Sequence, residues 1–366
     1  MLNNKTIAVV VPAYNEEKQI GIVIETMPKF VDRIIIVNDK SHDATADIVK
    51  KYINSNYNDT QTKLTKPAII KTFHNDAEIT LEQLNRKELK FFPKSEIINE
   101  NPESDRIILI SHCINYGNGL SRASGYKWCK DHNIECIATM DGDGQMDPDE
   151  LESICFPIVN EGLDYVKGNR LIHGSAEYYI PKRRFIGNSV LSILTKISSG
   201  YWRVSDAQTG YTAISLSALK SVKIYDIYPR YGWPNDLLVK LNMSYCTIRE
   251  VPIKPVYRVG EQSKMKIRKV IPRISWLLFK SFFKRIWIKY FFKDFHPLFI
   301  LYNLSLILFF VSIPFAVNIL KYMFGTITGD KPILNSIMFM FLIVSATQSL
   351  LFAMWMDIQD NDRLYK

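Results

Sequence analysis

Two long runs near the C-terminus contain no charged residue, and they constrain this chain more than any other feature. "PLFILYNLSLILFFVSIPFAVNIL" covers 297–320 and "PILNSIMFMFLIVSATQSLLFAMWM" covers 332–356. Each exceeds the ~20 apolar residues that a helix needs to cross a bilayer. The link between them, "KYMFGTITGDK", is short, so the two helices are expected to form a transmembrane hairpin. Ten Lys or Arg and no Asp or Glu lie between Lys264 and Lys293. Basic residues beside a first span place that side in the cytoplasm. The start, "MLNNKT", shows no signal peptide. The tail 357–366 is expected to return to the cytoplasmic side. The expected location is the plasma membrane in a prokaryote or the endoplasmic reticulum membrane in a eukaryote.

The net charge of +9 belongs to that one basic segment, because the rest of the chain carries 36 basic and 37 acidic residues. A near-neutral remainder argues against nucleic acid as a partner. In residues 266–295, Arg273, Lys280, Lys284, Arg285, Lys289 and Lys293 recur every four or seven residues or close to it. Trp276, Leu277, Phe283, Trp287 and Phe291 lie between them. This pattern predicts one or two amphipathic helices in the membrane interface, with their charges toward lipid headgroups.

Residues 1–265 alternate in type. "TIAVVVPAY", "VDRIIIVND", "DRIILISH" and "ECIATMD" read as strands, with helical spacing after the first three. Alternation of this kind implies an α/β domain with a mostly parallel sheet covered on both faces. Ligands collect at the carboxyl ends of such strands. The polar clusters "PAYNEE", "NDKSHD", "NYGNG" and "DGDGQMD" all fall there. The five cysteines show no metal-binding spacing and read as reduced core residues. Residues 55–104 form a polar insertion whose composition assigns it no role.

"IATMDGDGQMDP" sets Asp141, Asp143 and Asp147 close together after a strand. Mg²⁺ or Mn²⁺ takes one or two carboxylates, water and phosphate oxygens, so such a strand end suits a metal-bound phosphate. The glycine spacing and the preceding strand fit an EF-hand poorly. Asp147 before Pro148 reads as a helix cap rather than a metal ligand.

With these motifs in order, residues 7 to about 265 resemble the family 2 glycosyltransferases of GT-A fold, most of all the membrane-anchored polyprenyl-phosphate branch of the dolichyl-phosphate mannose synthase type. The resemblance rests on "VVVPAYNEE", "IIIVNDKSHDAT", "NYGNG", "ATMDGDGQMDP", "VKGNR", "DAQTGYTAIS", "GWPNDLLVKL" and "EVPIKPVYRVGEQSKM". It implies an inverting, metal-dependent hexosyltransferase that uses Mg²⁺ or Mn²⁺. The implied donor is a GDP- or UDP-sugar, and the implied acceptor an undecaprenyl or dolichyl phosphate in the membrane.

By resemblance, Pro12, Tyr14 and Glu16 line the nucleotide pocket and Asp39 reads the base. Asp141 and Asp143 match the family's DxD, with Asp143 the better metal ligand, Asp141 nearer the sugar or nucleotide, and Gln145 completing the DxDxQ form. Arg170 fits a cation that faces phosphate, as does one of Arg183 and Arg184. Asp206 and Gln208 match a turn with a structural or site role. Asp236 occupies an acidic position used elsewhere as general base, or else a helix-end carboxylate. Arg258, Ser263 and Lys264 match a loop that closes over the diphosphate.

Three departures stand out, one of them that the chain between Thr45 and Asn115 is far longer than the family needs. Asn38-Asp39 replaces an acidic pair, and Lys40-Ser41 a Gly-Ser. Asn118 in "NYGNG" takes the place of a lysine. The Q-x-x-R-W motif of processive synthases does not occur, which argues against polymer synthesis. Two rival functions are a transferase acting on a saccharide hydroxyl in cell-surface glycan assembly, with Asp236 as base, and a non-enzymatic membrane scaffold that kept the fold.

Overall fold

The β-branched runs form the strands at the centre of the molecule. The computed structural model describes residues 1–58, 63–64, 66, 71–176, 182–256, 267–325 and 332–366. β1 (Ile7–Ala13) and β2 (Arg33–Asn38) bury every residue, as a sheet covered on both faces requires. They join β3 (Ser95–Ile97), β4 (Ile107–His112), β5 (Cys136–Thr139), β6 (Tyr165–Asn169), β7 (Thr212–Ser215) and β8 (Ile248–Pro252) in one sheet of order β3-β4-β2-β1-β5-β7-β6-β8. β4, β2, β1 and β5 run parallel, β7 is antiparallel to both neighbours, and β6 and β8 are parallel. Apolar cores fill both faces.

The helices that position the polar clusters are α1 (Ile20–Glu25), α2 (Thr45–Ile53), α4 (Asn118–Asp131) and α5 (Leu151–Glu161). The insertion contributes α3 (Asp76–Glu88), which buries none of its residues, and the antiparallel edge strand β3. The Asn58 and Asn99 side chains accept from the Ile107 and Leu109 amides, which ties this segment to β4. α6 (Lys182–Ser199), α7 (Leu216–Ser221) and α8 (Trp233–Met243) complete the α/β domain.

α9 (Ile267–Trp287) runs into a π-helical turn, Ile288–Lys293, and then into α10 (Pro297–Met323) and α11 (Ile333–Asp362). α10 and α11 pack antiparallel, with the Ser305 hydroxyl donating to the Ala346 carbonyl. Both are long and apolar enough to cross a membrane, and most of each apolar window faces outward. They form a candidate membrane hairpin.

The basic segment and the tail depart from the sequence reading. Arg273 and Lys280 are exposed, and Trp276 and Phe279 stack on the same outer side of α9. Arg285 and Lys289, read as headgroup-facing, are instead fully buried. They follow Ile274, Leu278 and Ser281 along one inward stripe. Arg285 donates to both Asp357 oxygens at 2.7 and 2.8 Å and to the Ile197 and Ser198 carbonyls at the end of α6. Lys289 donates to Asn242 and Asn361, and the Tyr290 hydroxyl to Asp357. The physical reason is charge complementarity. A buried cation needs an anion and acceptors, and α11 supplies them just past its apolar run. Residues 357–366 are therefore no free tail. α11 continues to Asp362, Leu364 enters the core, and the Ile248 amide donates to the Leu364 carbonyl at 2.7 Å beside β8.

Removing one partner of this pair leaves an uncompensated buried charge. Asp357→Ala is expected to cost about 3–5 kcal/mol of stability, read as a lower unfolding temperature of detergent-purified protein. The double substitution Arg285→Met with Asp357→Leu is expected to recover most of that loss. A single substitution that leaves the unfolding temperature unchanged contradicts the clamp.

Candidate active site

The carboxyl ends of β1, β2, β4 and β5 converge on one cleft of about 1100 Å³. Pro12, Tyr14, Glu16, Asp39, Asp141, Asp143, Gln145 and Arg170 all line it. The separate motifs of the sequence are thus brought together by the parallel register.

The first turn is held by side chains after β2. The Asn15 amide donates to Ser41 and the Glu16 amide to Thr45. Asp39 is 3% exposed. Its Oδ1 accepts from the His112 ring at 2.8 Å and the Tyr116 amide at 2.9 Å, and its Oδ2 from the Gly117 amide at 2.7 Å. A carboxylate offers about four acceptor positions, so roughly one remains on the oxygen that faces Gly117. His112 in turn meets the Ser124 hydroxyl at 2.9 Å. Gly117 has φ +94°, and a Cβ there would stand 2.7 Å from the Pro229 carbonyl oxygen, so only glycine fits.

The DxD turn follows β5. The Gln145 amide donates to Asp143 Oδ1 at 3.0 Å, which curls the loop around that carboxylate. Asp141 Oδ1 accepts from Arg122 Nη2 at 2.8 Å and from Asn118 Nδ2 at 3.2 Å. Asn118 thus turns to Asp141. Asp147 caps the next turn through the Asp149 amide, as its position before Pro148 predicts, and it also pairs with Lys254. Among the described residues, no group of three His, Cys, Asp or Glu is placed to hold a metal by itself. Asp143 with its neighbours fits Mg²⁺ or Mn²⁺ of the kind that takes few carboxylates and completes its shell with substrate phosphate and water.

A second network lies behind Arg170. Arg170 grips Asp206 through Nε at 2.8 Å and Nη2 at 3.1 Å. Burial alone would raise the Asp206 carboxyl, but Arg170 and Lys167 outweigh it and hold it below its ordinary value. Lys167 is fully buried and donates to the Thr209 carbonyl; burial pushes its ammonium down to about 8 against the pull of Asp206 and Glu250. Glu250 accepts from Asn169, Ser205 and the Asp206 amide. Gln208 lines the cleft and donates to Asn235.

Asp236 stands apart. Trp233 and Pro234 line the cleft, but Asp236 does not. It accepts from the Tyr228 amide and pairs with Lys240, partners that suit the helix-end carboxylate of the two roles read from the sequence. The side chain of Arg184, like that of Arg183, lies outside the described residues, as do Arg258, Ser263 and Lys264 altogether. His112, Arg122, Lys167 and Glu250 were not read as site residues. Their oppositely charged partners are 19 to 83 residues away in sequence, and no local spacing marks them.

Comparison with known proteins decides the family. The model of Glycosyl transferase family 2 matches residues 8–66 and 94–223, just over half of the chain. The chain belongs to glycosyl transferase family 2. The relatives of this glycosyltransferase include the UDP-N-acetylglucosamine–dolichyl-phosphate N-acetylglucosaminyltransferase of Methanococcus voltae, 29% identical over 69% of this chain and 87% of that protein. The undecaprenyl-phosphate mannosyltransferase of Micrococcus luteus is 26% identical over 41% of this chain and 60% of that protein. Among solved structures, the glucosyl-3-phosphoglycerate synthase of Mycobacterium tuberculosis, crystallised with Mn²⁺ and UDP, aligns with a TM-score of 0.46 at 16% identity, over 77% of this chain and 80% of that one.

In this glycosyltransferase His112 is the only side-chain donor to the Asp39 carboxylate among the described residues. His112→Ala is expected to raise the KM for the sugar donor about threefold to tenfold, because a hydrogen bond to a charged group contributes about 1.5–3 kcal/mol and two backbone donors remain. Turnover at saturating donor is expected to change little. An unchanged KM contradicts a role for Asp39 in donor binding.

Proposed function

We propose that this glycosyltransferase moves a sugar, with inversion, from a nucleotide sugar to the phosphate of a polyprenyl phosphate at the cytoplasmic membrane face, with Mg²⁺ or Mn²⁺. One observation carries the reading: a single cleft is lined both by the polar groups Asp39, Asp141, Asp143 and Arg170 and by the apolar Leu191 of α6 and Val270, Ile271 and Ile274 of α9. α9 leads directly to the candidate membrane hairpin. A lipid phosphate could thus meet a nucleotide sugar without either leaving its own medium. The dolichyl-phosphate and undecaprenyl-phosphate acceptors in the names of the relatives support the same class, and the first of those names supports a UDP-sugar donor.

Asp143 and Gln145 would hold the metal, which when bound offsets the charge of the departing nucleoside diphosphate. Pro12, Tyr14 and Glu16 bound the nucleotide, and Asp39 offers its remaining lone pair to a ring N–H of the base. Arg170, oriented by Asp206, presents a fixed positive charge to phosphate. Arg184, Arg258, Ser263 and Lys264 are proposed for the same anionic groups. The acceptor phosphate bears roughly −1.5 to −2 charge if it titrates like other phosphomonoesters, so its oxygen is already a nucleophile. That oxygen bonds to the anomeric carbon on the face opposite the leaving group. The bond to the diphosphate oxygen breaks, and the electron pair leaves with the nucleoside diphosphate. No proton has to be removed, which agrees with the placement of Asp236 outside the cleft lining.

Asp143→Ala is expected to abolish transfer while leaving the unfolding temperature near that of the parent. Asp236→Asn is expected to lose less than about a hundredfold in turnover, since a positioned base supplies typically about 10²–10⁴-fold and none is used here. Both are assayed with polyprenyl phosphate and with free polyprenol. A collapse in Asp236→Asn together with use of free polyprenol would overturn the phosphate-acceptor reading in favour of a hydroxyl acceptor.

A further inference from the structure

Arg122 is the buried cation nearest the DxD turn, and the reaction as proposed gives it no task. It is fully buried on α4. Its Nη2 donates to Asp141 at 2.8 Å, and its guanidinium lies 4.2 Å from the Trp233 ring centre. Its Nε and Nη1 are buried and have no hydrogen-bond partner among the described residues. Leaving two such donors unpaired costs free energy, so a position like this needs a compensating interaction. Among the described residues, the Asp141 carboxylate is the one anion that the guanidinium touches. Space around the pair is tight. A Cβ on Gly210 would stand 2.8 Å from Arg122 Nη2 and 3.2 Å from Asp141 Oδ2, so glycine is what lets the two groups meet beneath the cleft.

We propose that Arg122 is a positioning residue that commits Asp141 to the protein side of the cleft, so that Asp143 is the principal carboxylate for the divalent cation. This rests on the metal-dependent reading above. The argument is one of competition. A carboxylate oxygen that already accepts from a guanidinium at 2.8 Å and from Asn118 at 3.2 Å gives less to a cation, and the guanidinium charge repels that cation directly. Asp141 is thereby held in one orientation, with its second oxygen left to the donor. Removing the Arg122 charge frees Asp141 to become a second metal ligand. The consequence has an unusual sign: the variant holds metal more tightly and turns over more slowly. A merely structural arginine would weaken both.

The test is Mn²⁺ binding to the full-length protein in detergent with UDP present, followed by the electron paramagnetic resonance signal of free Mn²⁺, with turnover measured on the same samples. Arg122→Met is expected to bind Mn²⁺ at least threefold more tightly and to lose at least about thirtyfold in kcat. Arg122→Lys, which keeps the charge, is expected to stay within twofold of the parent in Mn²⁺ affinity and to recover part of kcat. Asn118→Ala removes the weaker donor from a partly exposed position, and it is expected to tighten Mn²⁺ about twofold even if Arg122→Met does not fold. Unchanged or weaker Mn²⁺ binding in folded Arg122→Met, or in Asn118→Ala, overturns the proposal. Asp143→Asn separates the two levels of the argument. If the parent binds no Mn²⁺, or if Asp143→Asn binds it as the parent does, the metal reading itself fails; if only the Arg122 and Asn118 variants disagree, the metal reading stands and the role of Arg122 falls.

Discussion

The Arg285–Asp357 pair is the interaction on which the arrangement of this molecule depends. It joins three pieces that no single stretch of sequence connects: the end of α6, the inward stripe of α9 and the last turns of α11. The Ile197 and Ser198 carbonyls at the C-terminal end of α6 are the groups that a cation stabilises. With Lys289, Tyr290 and Asn361 the pair forms a fully buried polar network. A buried pair adds little net stability over apolar side chains of the same shape, but it accepts few alternative geometries. That specificity fixes α9, whose Val270, Ile271 and Ile274 wall the cleft, against the domain that holds Asp143.

The α/β fold was legible because its signal is local. Runs such as Ile34 to Val37 are long enough and apolar enough to be strands buried on both faces, and the polar clusters after them marked the ligand edge. The hairpin was legible for the same reason, since length without charge has few readings. The end of the chain was not. Arg285 and Lys289 share their spacing with Arg273 and Lys280, and periodicity alone cannot tell an inward stripe from an outward one when both carry cations. The clue was Asp357, an acid placed directly after an apolar run, but its partner is 72 residues away in sequence.

The site divides along the same line. Asp141, Asp143 and Gln145 lie within five residues and could be read together. Asp236 has two roles open in the sequence, and the Tyr228 amide and the Lys240 ammonium meet it only once α8 is folded. His112, Arg122 and Lys167 act on Asp39, Asp141 and the Asp206 turn from other elements, so only the packed sheet brings them to the cleft. What the sequence displays is the set of groups that would touch substrate, whereas the groups that orient them emerge with the tertiary structure.

The central claim is that the acceptor atom is a lipid phosphate oxygen. The linkage formed in the product tests it most directly. Purified full-length protein would be incubated in detergent with a short polyprenyl phosphate, Mg²⁺ and a panel of UDP-N-acetylglucosamine, UDP-glucose and GDP-mannose, and the lipid fraction followed by phosphorus NMR. The account predicts that, with at least one donor, the phosphomonoester signal is replaced by a phosphodiester signal carrying the sugar, and that EDTA prevents the change. A sugar joined to a hydroxyl, with the lipid monoester signal left intact, would contradict it.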